Sequence, residues 1–193
     1  MKDILHRKDR LIITTIELID ELGLQRLSTR EIANREGVSE ATLFRHYKNK
    51  NDLLIAVVDF YSKFDEDIFL TTRLKKLGPK ESIYFLVKST VEYYENYPAI
   101  TAITQLMDVL KYEPDLTEKI NEIINYRFRV IKELIDEAID MGEIKPEINS
   151  EYLSDMIIGT IRELCLRWRI HRDFSLKERA EASIQMLLES FRI

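Results

Sequence analysis

The chain has 193 residues, of which 45% are hydrophobic and 33% are charged. This composition is typical of a globular protein and excludes a disordered chain. The net charge of −5 is unevenly distributed, because residues 1–50 hold ten Lys or Arg against eight Asp or Glu, whereas the remainder holds 19 against 26. A mildly basic first quarter permits a nucleic-acid-binding segment, and the acidic remainder indicates a body of different function.

Cysteine usage and hydropathy indicate the compartment. The single cysteine, Cys165, cannot form a disulfide within the chain, which favours a reducing environment. Residues 1–10 carry too many charges for a secretory signal. The longest uncharged run, residues 96–107, contains a proline and is shorter than the roughly 20 residues that a membrane-spanning helix needs. We therefore expect a cytoplasmic protein.

Glycine and proline separate the predicted elements. The chain has five Gly and four Pro, and of these only Gly159 lies inside a segment with helical periodicity. No segment shows the alternation of a half-buried strand, and no Asn-Gly hairpin turn occurs. The pattern predicts an all-α fold of about nine helices.

The predicted helices divide the chain in order. In the first, Ile12, Ile16, Ile19 and Leu22 share one face, and Gly23 ends it. The predicted ranges are about Ile4–Leu22, a helix capped by Ser28, a helix capped by Ser39, a helix from Asn49 that ends before Gly78, and then Lys80–Tyr97, Ala99–Lys111, Asp115–Met141, Ser150–His171, and Ser175 to nearly the end. We expect a boundary at residue 50, between an N-terminal part of residues 1–50 and a C-terminal part of residues 51–193.

The second and third helices have well-marked beginnings. Ser28 and Glu31 form a capping box at the first of them, and Ser39 is the expected N-cap of the next. Gly37 lies in the turn between them, where a positive φ is expected. Two short helices joined by a glycine-containing turn are the helix-turn-helix pattern, whose second helix enters the major groove of DNA.

The third helix has a predicted inner face and a predicted outer face. Leu43, Phe44 and Tyr47 are expected to point inward. The residues expected to read bases are Arg30, Glu40, Thr42, Arg45 and His46, since Arg can pair with guanine and a Thr methyl can touch thymine. The residues expected to contact phosphates are Thr29, Ser39, Tyr47, Lys48 and Lys50. The alternative is that these side chains form only solvated faces.

Residues from about Arg10 to Leu54 resemble the N-terminal domain of the TetR family of transcriptional regulators. The resemblance is carried by Gly23, by Ser28-Thr29-Arg30-Glu31-Ile32-Ala33, by Gly37-Val38-Ser39, by Thr42-Leu43-Phe44-Arg45-His46-Tyr47, and by Lys50 and Leu53-Leu54. It implies a homodimer that represses promoters by binding double-stranded DNA at an inverted repeat, and that releases it when a small molecule enters the C-terminal part.

The chain departs from the family pattern at three places. Thr14 and Thr15 stand where the family usually has two alanines, which implies a small packing change. Phe44 stands where the family often has a Tyr that hydrogen-bonds a phosphate, so Phe44 is assigned to packing. Tyr47 stands where Phe is usual, and its hydroxyl is a candidate donor to the DNA backbone.

Apolar stripes on the last two helices are candidates for the subunit interface. They consist of Leu153, Ile157, Ile161 and Leu164 on one helix and Ile184, Leu187, Leu188 and Phe191 on the other. Periodicity alone fits the core of one chain equally well, and the resemblance favours dimerisation. Gly159 costs about 1 kcal/mol relative to Ala inside a helix, which suggests a close helix approach there.

Large apolar and aromatic residues in the second part are candidates for an effector pocket. They are Phe85, Tyr93, Tyr97, Met107, Tyr126, Phe128 and Trp168. Pockets are mostly apolar, so an apolar or aromatic effector is expected, although such residues are more often core.

The patterns of the common helical enzymes do not occur in the sequence. No Glu-x-x-His pair precedes any of the three histidines, no glycine-rich phosphate loop occurs, and Cys165 lies in an apolar stretch. We expect no catalytic residues, no metal and no cofactor. A second hypothesis is a protein-interaction module that uses the helix-turn-helix scaffold without DNA.

Overall fold

The computed structural model describes residues 6–192, and within that range the regular elements are helical, with no strand. The α-helices are α1 (Arg7–Leu22), α2 (Thr29–Glu36), α3 (Glu40–Phe44), α4 (Lys50–Leu74), α5 (Pro79–Asn96), α6 (Thr101–Leu110), α7 (Thr117–Asp140), α8 (Ser150–His171) and α9 (Leu176–Ser190). Short 3₁₀ turns occur at Leu24–Arg26 and Pro98–Ile100. The all-α prediction is confirmed.

The chain forms two compact units. The N-terminal unit contains the described residues up to Lys63 together with Ala99–Ile120, and the C-terminal unit contains Phe64–Pro98 and the described residues from Asn121 onward. α4 and α7 each contribute residues to both units. The functional boundary expected at residue 50 is a separate question and stays a prediction.

Side-chain caps set the helix starts much as predicted. The Oγ of Ser28 accepts a hydrogen bond from the Glu31 N–H at 3.1 Å, and the Oγ of Ser39 accepts one from the Thr42 N–H at 3.2 Å. Gly37 ends α2 with φ +68°, a conformation that an L-residue adopts only at a steric cost. The turn and the starts of α2 and α3 are therefore local consequences of the sequence.

The later helix starts show one error. Ser175 caps α9 as predicted, and Asn149 caps α8 by accepting from two backbone N–H groups. α7 begins at Thr117 instead of Asp115, because Asp115 has φ +63° and so cannot open a helix. The predicted start of the first helix at Ile4 lies outside the described residues.

The core of the N-terminal unit lies between α1, α2, the start of α4 and α6. Leu11, Ile16, Ile32, Leu53 and Ile103 are fully buried. The two threonines of α1 make specific hydrogen bonds as well as filling space. The Thr14 hydroxyl donates to Glu36 at 2.8 Å and the Thr15 hydroxyl donates to the Leu11 carbonyl at 2.6 Å. The Thr14 hydrogen bond therefore joins α1 to α2, whereas the Thr15 hydrogen bond lies within α1.

In the C-terminal unit α9 packs against α5 and α8. Leu153, Ile157, Leu164, Ile184 and Leu188 are all buried within the single chain. They therefore form the core that joins these helices, which argues against a direct contact with a second subunit; their predicted place in the interface stays a prediction. Ile161, Leu187 and Phe191 are half-buried and border the same core.

Candidate nucleic-acid interface and effector-binding region

α3 is shorter than expected and turns one predicted inner residue outward. It has five residues, whereas the sequence predicts a helix of about eight residues after Ser39. Leu43 is fully buried and Tyr47 is 4% exposed, as predicted, but Phe44 is 44% exposed. Because 100° separates successive residues of a helix, the burial of Leu43 directs its neighbour Phe44 away from the core. The assignment of Phe44 to packing is therefore wrong.

Tyr47 fastens α1 beneath the helix-turn-helix. Its hydroxyl donates to the Lys8 carbonyl at 3.1 Å, and the Lys8 Nζ lies 5.6 Å from the ring centroid. Burial, with a smaller contribution from Asp9, raises the pKa of Tyr47 to about 12. This geometry speaks against the predicted phosphate contact, because the hydroxyl proton is already donated inside the protein.

The polar residues expected to contact bases and phosphates are partly joined to one another. The Thr29 hydroxyl donates to the Glu40 carboxylate at 2.7 Å, which holds the start of α2 against the start of α3. The Thr42 hydroxyl lies 3.1 Å from the Ser39 Oγ and accepts from Arg45 at 3.0 Å. Ser39, Thr42 and Arg45 thus form an ordered polar row along the exposed side of α3.

The charges of the helix-turn-helix are arranged so that cations face solvent. Glu36 pairs with Arg10 at 3.1 Å and Glu21 pairs with Arg35 through both carboxylate oxygens. In contrast, the cations Arg30, Arg45 and Lys48 are exposed, and none of them forms an ion pair within residues 6–192. Lys50, half-buried, begins α4. The outer surface therefore offers unneutralised cations to an anionic partner.

The residues predicted for an effector pocket fall into separate places. Tyr93, Tyr97 and Tyr126 belong to an aromatic cluster of the C-terminal unit, with Tyr93 stacked on Phe64 at 3.4 Å and Tyr126 edge-on to Phe69 at 5.2 Å. Phe64 and Phe69, on α4, were not among the predicted pocket residues, because helical periodicity does not show which other helix a side chain will meet. This cluster, with Ile68, Leu86 and Val130 beside it, is the main apolar region between α4, α5 and α7.

The remaining predicted pocket residues do not join this cluster. Met107 is buried in the N-terminal unit and so lies outside this cluster; its predicted place in an effector pocket stays a prediction. Trp168 lies near the end of α8 beneath the guanidinium of Arg172, 3.9 Å from its ring. Phe128 is half-buried on α7. Phe85 lines an open groove of about 590 Å³ between α5 and α9, with Lys75 4.9 Å from its ring.

A buried ion pair crosses the same region of the C-terminal unit. Arg127 Nε donates to Asp65 Oδ2 at 2.6 Å, and Asp65 is 7% exposed. Burial raises the pKa of the Asp65 carboxyl, and the charge and hydrogen bond of Arg127 oppose that rise. The pair links α4 to α7 next to the aromatic cluster.

An apolar stripe on α8 is left exposed within the single chain. Its apolar members are Tyr152, Met156, Leu166 and Ile170, and Met186 is similarly exposed on α9. Gly159 lies on the same side of α8, and apart from its chain neighbours and the nearby backbone of its own helix, no described atom lies within 4 Å of the position that its Cβ would occupy. The spacing from 152 through 156, 159 and 166 to 170 follows one helix face, so sequence periodicity contained this stripe too. It was missed because the buried stripe is more apolar.

Among residues 6–192 no cluster of three or more His, Cys, Asp or Glu side chains is arranged to hold a metal ion. None of the helices described above is both long and apolar enough to cross a membrane.

Comparison with known families settles the family. Residues 11–57 match the family described as bacterial regulatory proteins, tetR family, and residues 60–190 match the C-terminal region of YsiA-like proteins within the same group. The chain belongs to the TetR family. It is therefore a ligand-responsive transcriptional regulator with a DNA-binding helix-turn-helix, and TetR regulators act as dimers. The predicted family and function class are confirmed, and nothing supports the interaction-module alternative.

Similar proteins include regulators of lipid metabolism. The fatty acid metabolism regulator protein of Bacillus subtilis is 27% identical over 164 residues, which are 82% of this chain and 81% of that protein. The structure of FadR from Bacillus subtilis, solved in complex with stearoyl-CoA, has a TM-score of 0.80 at 24% identity and covers 96% of this chain and 100% of that one. The ketosteroid regulator KstR2 of Mycobacterium tuberculosis has a TM-score of 0.86 at 15% identity, over 98% of this chain and 97% of that one. Both structures show the same TetR fold.

Proposed function

We propose that the protein is a homodimeric repressor that binds an inverted-repeat operator and is released from DNA by a long-chain fatty acyl-CoA. The observation that carries the DNA-binding part is the set of exposed cations on the helix-turn-helix that form no ion pair among residues 6–192, namely Arg30, Arg45 and Lys48. Phosphates attract such cations, while an Arg on the reading helix can recognise guanine. The proposed contacts to individual bases and phosphates follow the sequence prediction, except that the hydroxyls of Tyr47 and Thr29, which both donate within the chain, are removed from the phosphate set.

The dimer is supported by the exposed stripe on α8. Apolar side chains as large as Tyr152 and Ile170, 70% and 66% exposed, are concentrated on one side of the helix. A two-fold interface places the same stripe of each chain against the other. Gly159 would then allow the two helices to approach closely, which explains a helix-interior glycine that meets nothing in its own chain. We place the subunit interface on this stripe, with Met186 of α9 beside it.

The effector class is supported by the apolar region around Phe64, Tyr93 and Tyr126. Pockets for small molecules combine apolar walls with a few placed polar groups, and here the Asp65–Arg127 pair supplies charge beside aromatic rings. The similar FadR of Bacillus subtilis was solved with stearoyl-CoA. A fatty acyl chain agrees with the apolar effector expected from the sequence. For release, the acyl-CoA must bind the form that has low affinity for DNA more tightly.

The DNA contacts lead to a prediction about salt. Lys50→Ala should weaken binding to every duplex and lower the slope of log affinity against log salt by about one unit, because one phosphate contact is lost. Arg45→Ala should instead cost about 1–3 kcal/mol on the preferred operator and relax preference at one base pair. The measurement is fluorescence anisotropy at several salt concentrations on an operator chosen from random duplexes.

Lys63→Ala is the matched control, because Lys63 is exposed on α4 and lies 13 residues beyond Lys50. It removes the same charge from the same helix and should leave the salt slope unchanged. Equal effects of Lys50→Ala and Lys63→Ala would show that the predicted phosphate contact does not exist.

The effector proposal is tested by titrating the operator complex with stearoyl-CoA, with free coenzyme A and stearate as controls. Stearoyl-CoA should release DNA, whereas coenzyme A and stearate should have little effect. Tyr93→Ala should raise the stearoyl-CoA concentration needed, and Tyr112→Ala, which truncates an 81% exposed ring of the N-terminal unit, should not. If stearoyl-CoA does not change operator binding, the proposed effector is rejected and the proposed DNA binding stands. If the protein prefers no duplex over another, the proposed role as an operator-binding repressor is contradicted.

A further inference from the structure

Two apolar side chains lie on the exposed side of α3, the recognition helix of the helix-turn-helix. Ala41 and Phe44 are three residues apart on α3, so they share one face, and both are exposed. Phe44 makes no ring-stacking or cation–π contact with any described residue. Neither residue belongs to the set that the sequence predicts to read bases, and Phe44 was instead assigned to packing.

The charges around this apolar pair favour DNA over other partners. Arg45 follows Phe44 directly, and Lys48 lies four residues further along, both exposed and without an ion pair among residues 6–192. The nearest acid of α3, Glu40, is hydrogen-bonded to Thr29. The major groove of DNA combines both features, since it presents the apolar methyl groups of thymine between flanking phosphates.

The chemistry of Phe44 limits what it can recognise. A phenyl ring neither donates nor accepts an ordinary hydrogen bond, so it cannot replace the phosphate contact that a Tyr hydroxyl makes. Among the base edges of the major groove, only the C5-methyl group of thymine offers an apolar surface, and Ala and Phe are side chains that contact it. We propose that Ala41 and Phe44 read thymine methyl groups, so that each half-site requires thymine at the positions beneath them. This inference rests on the proposed operator binding.

The thymine preference is separable from the guanine preference of Arg45. Removing a thymine methyl deletes an apolar contact without altering any hydrogen bond. Burial of one methyl-sized group is worth about a fourfold change in affinity. Since a dimer reads two half-sites, substitution in both should lower affinity about sixteenfold.

The experiment replaces each thymine of the selected operator in turn with deoxyuridine, which lacks only the C5-methyl group. Wild-type protein should lose about fourfold in affinity at one or two thymines of each half-site. In Phe44→Ala the penalty at one of these thymines should disappear, and in Phe44→Leu, which keeps an apolar side chain, part of it should remain. Arg45→Ala is the control, since it should weaken binding while keeping the uracil penalty.

The possible results are distinct. A uracil penalty that Phe44→Ala abolishes supports the inference, and circular dichroism verifies that this surface substitution leaves the fold intact. A penalty of the same size in Phe44→Ala and wild type, or no penalty at any thymine, overturns it while leaving operator binding in place. If random selection yields no preferred duplex, the proposed function and this inference both fail.

Discussion

Met156→Asp combined with Ile170→Asp should convert the protein into a folded monomer with weak affinity for the full operator. Both side chains lie on the exposed stripe of α8, so within one chain the changes put charges in water and cost little. In a two-fold interface each aspartate would occur twice, buried and without a partner. An uncompensated buried charge costs about 3–5 kcal/mol, so the dimer dissociation constant should rise by at least a thousandfold.

Sedimentation velocity measures the association, and operator binding measures its consequence. A monomer has one reading helix and should bind an inverted repeat no better than an isolated half-site. Val109→Asp is the control, because Val109 is 47% exposed on α6 and lies outside the stripe. It should remain dimeric. A dimer that survives the double substitution unchanged would move the interface elsewhere on the molecule.

A second substitution distinguishes the role of the buried stripe of α8, in folding, from the role of the exposed stripe, in dimerisation. Ile157→Ala removes a side chain that is fully buried within its own chain. It should lower the free energy of unfolding by about 2–5 kcal/mol, as other large-to-small core substitutions do. At protein concentrations well above the dissociation constant the folded fraction should still be dimeric.

Arg127→Met should cause a large, pH-dependent loss of stability. The substitution leaves Asp65 buried without its cation, and breaking a buried pair in this way costs about 3–5 kcal/mol near neutral pH. The free energy of unfolding from urea titrations at several pH values measures the effect.

The direction of the pH dependence follows from the pKa of Asp65. Burial raises this pKa, so the folded chain binds more protons than the unfolded chain, and the contribution to stability is lost as the pH rises through the folded pKa. Removing Arg127 raises the pKa of Asp65 further. The difference in stability between variant and wild type should therefore be largest near pH 7 and shrink as the pH falls.

Two controls make this test specific. Lys132→Met removes the cation of an ion pair on the exposed part of α7 and should have a much smaller effect. The double substitution Asp65→Leu with Arg127→Met replaces the buried pair by apolar groups and should recover most of the stability. A pH-independent loss in Arg127→Met would mean that lost packing, and not the unpaired carboxylate, causes the effect.

The two apolar sides of α8 show why periodicity alone does not locate a subunit interface. The helix carries apolar residues on two sides, with Leu153 and Ile157 on one and Met156 and Ile170 on the other. Periodicity assigns residues to a face, but the choice between the two faces depends on where α9 and α5 lie. The more apolar stripe is buried within the chain, since that removes the most apolar area from water.

The residues predicted to line an effector pocket lie in separate places for a related reason. Tyr93 and Tyr126 come together with Phe64 and Phe69 because α4, α5 and α7 pack side by side in one unit. Met107 belongs to the other unit, and no local pattern distinguishes a residue buried in one core from a residue buried in another. Residue type predicted burial, but it did not predict the partners.

The sequence alone determined the helical class, the helix-turn-helix with its caps at Ser28 and Ser39, and the resemblance to the TetR family. These features depend on contacts within a few residues, such as a hydroxyl that accepts from an N–H three positions later, and on the positive φ of Gly37. Only the tertiary structure decided that Phe44 faces solvent, that Tyr47 binds the Lys8 carbonyl, and that the outer side of α8 stays uncovered. Each of these outcomes depends on packing between segments that are distant in sequence, and local sequence patterns do not show which segments will pack together.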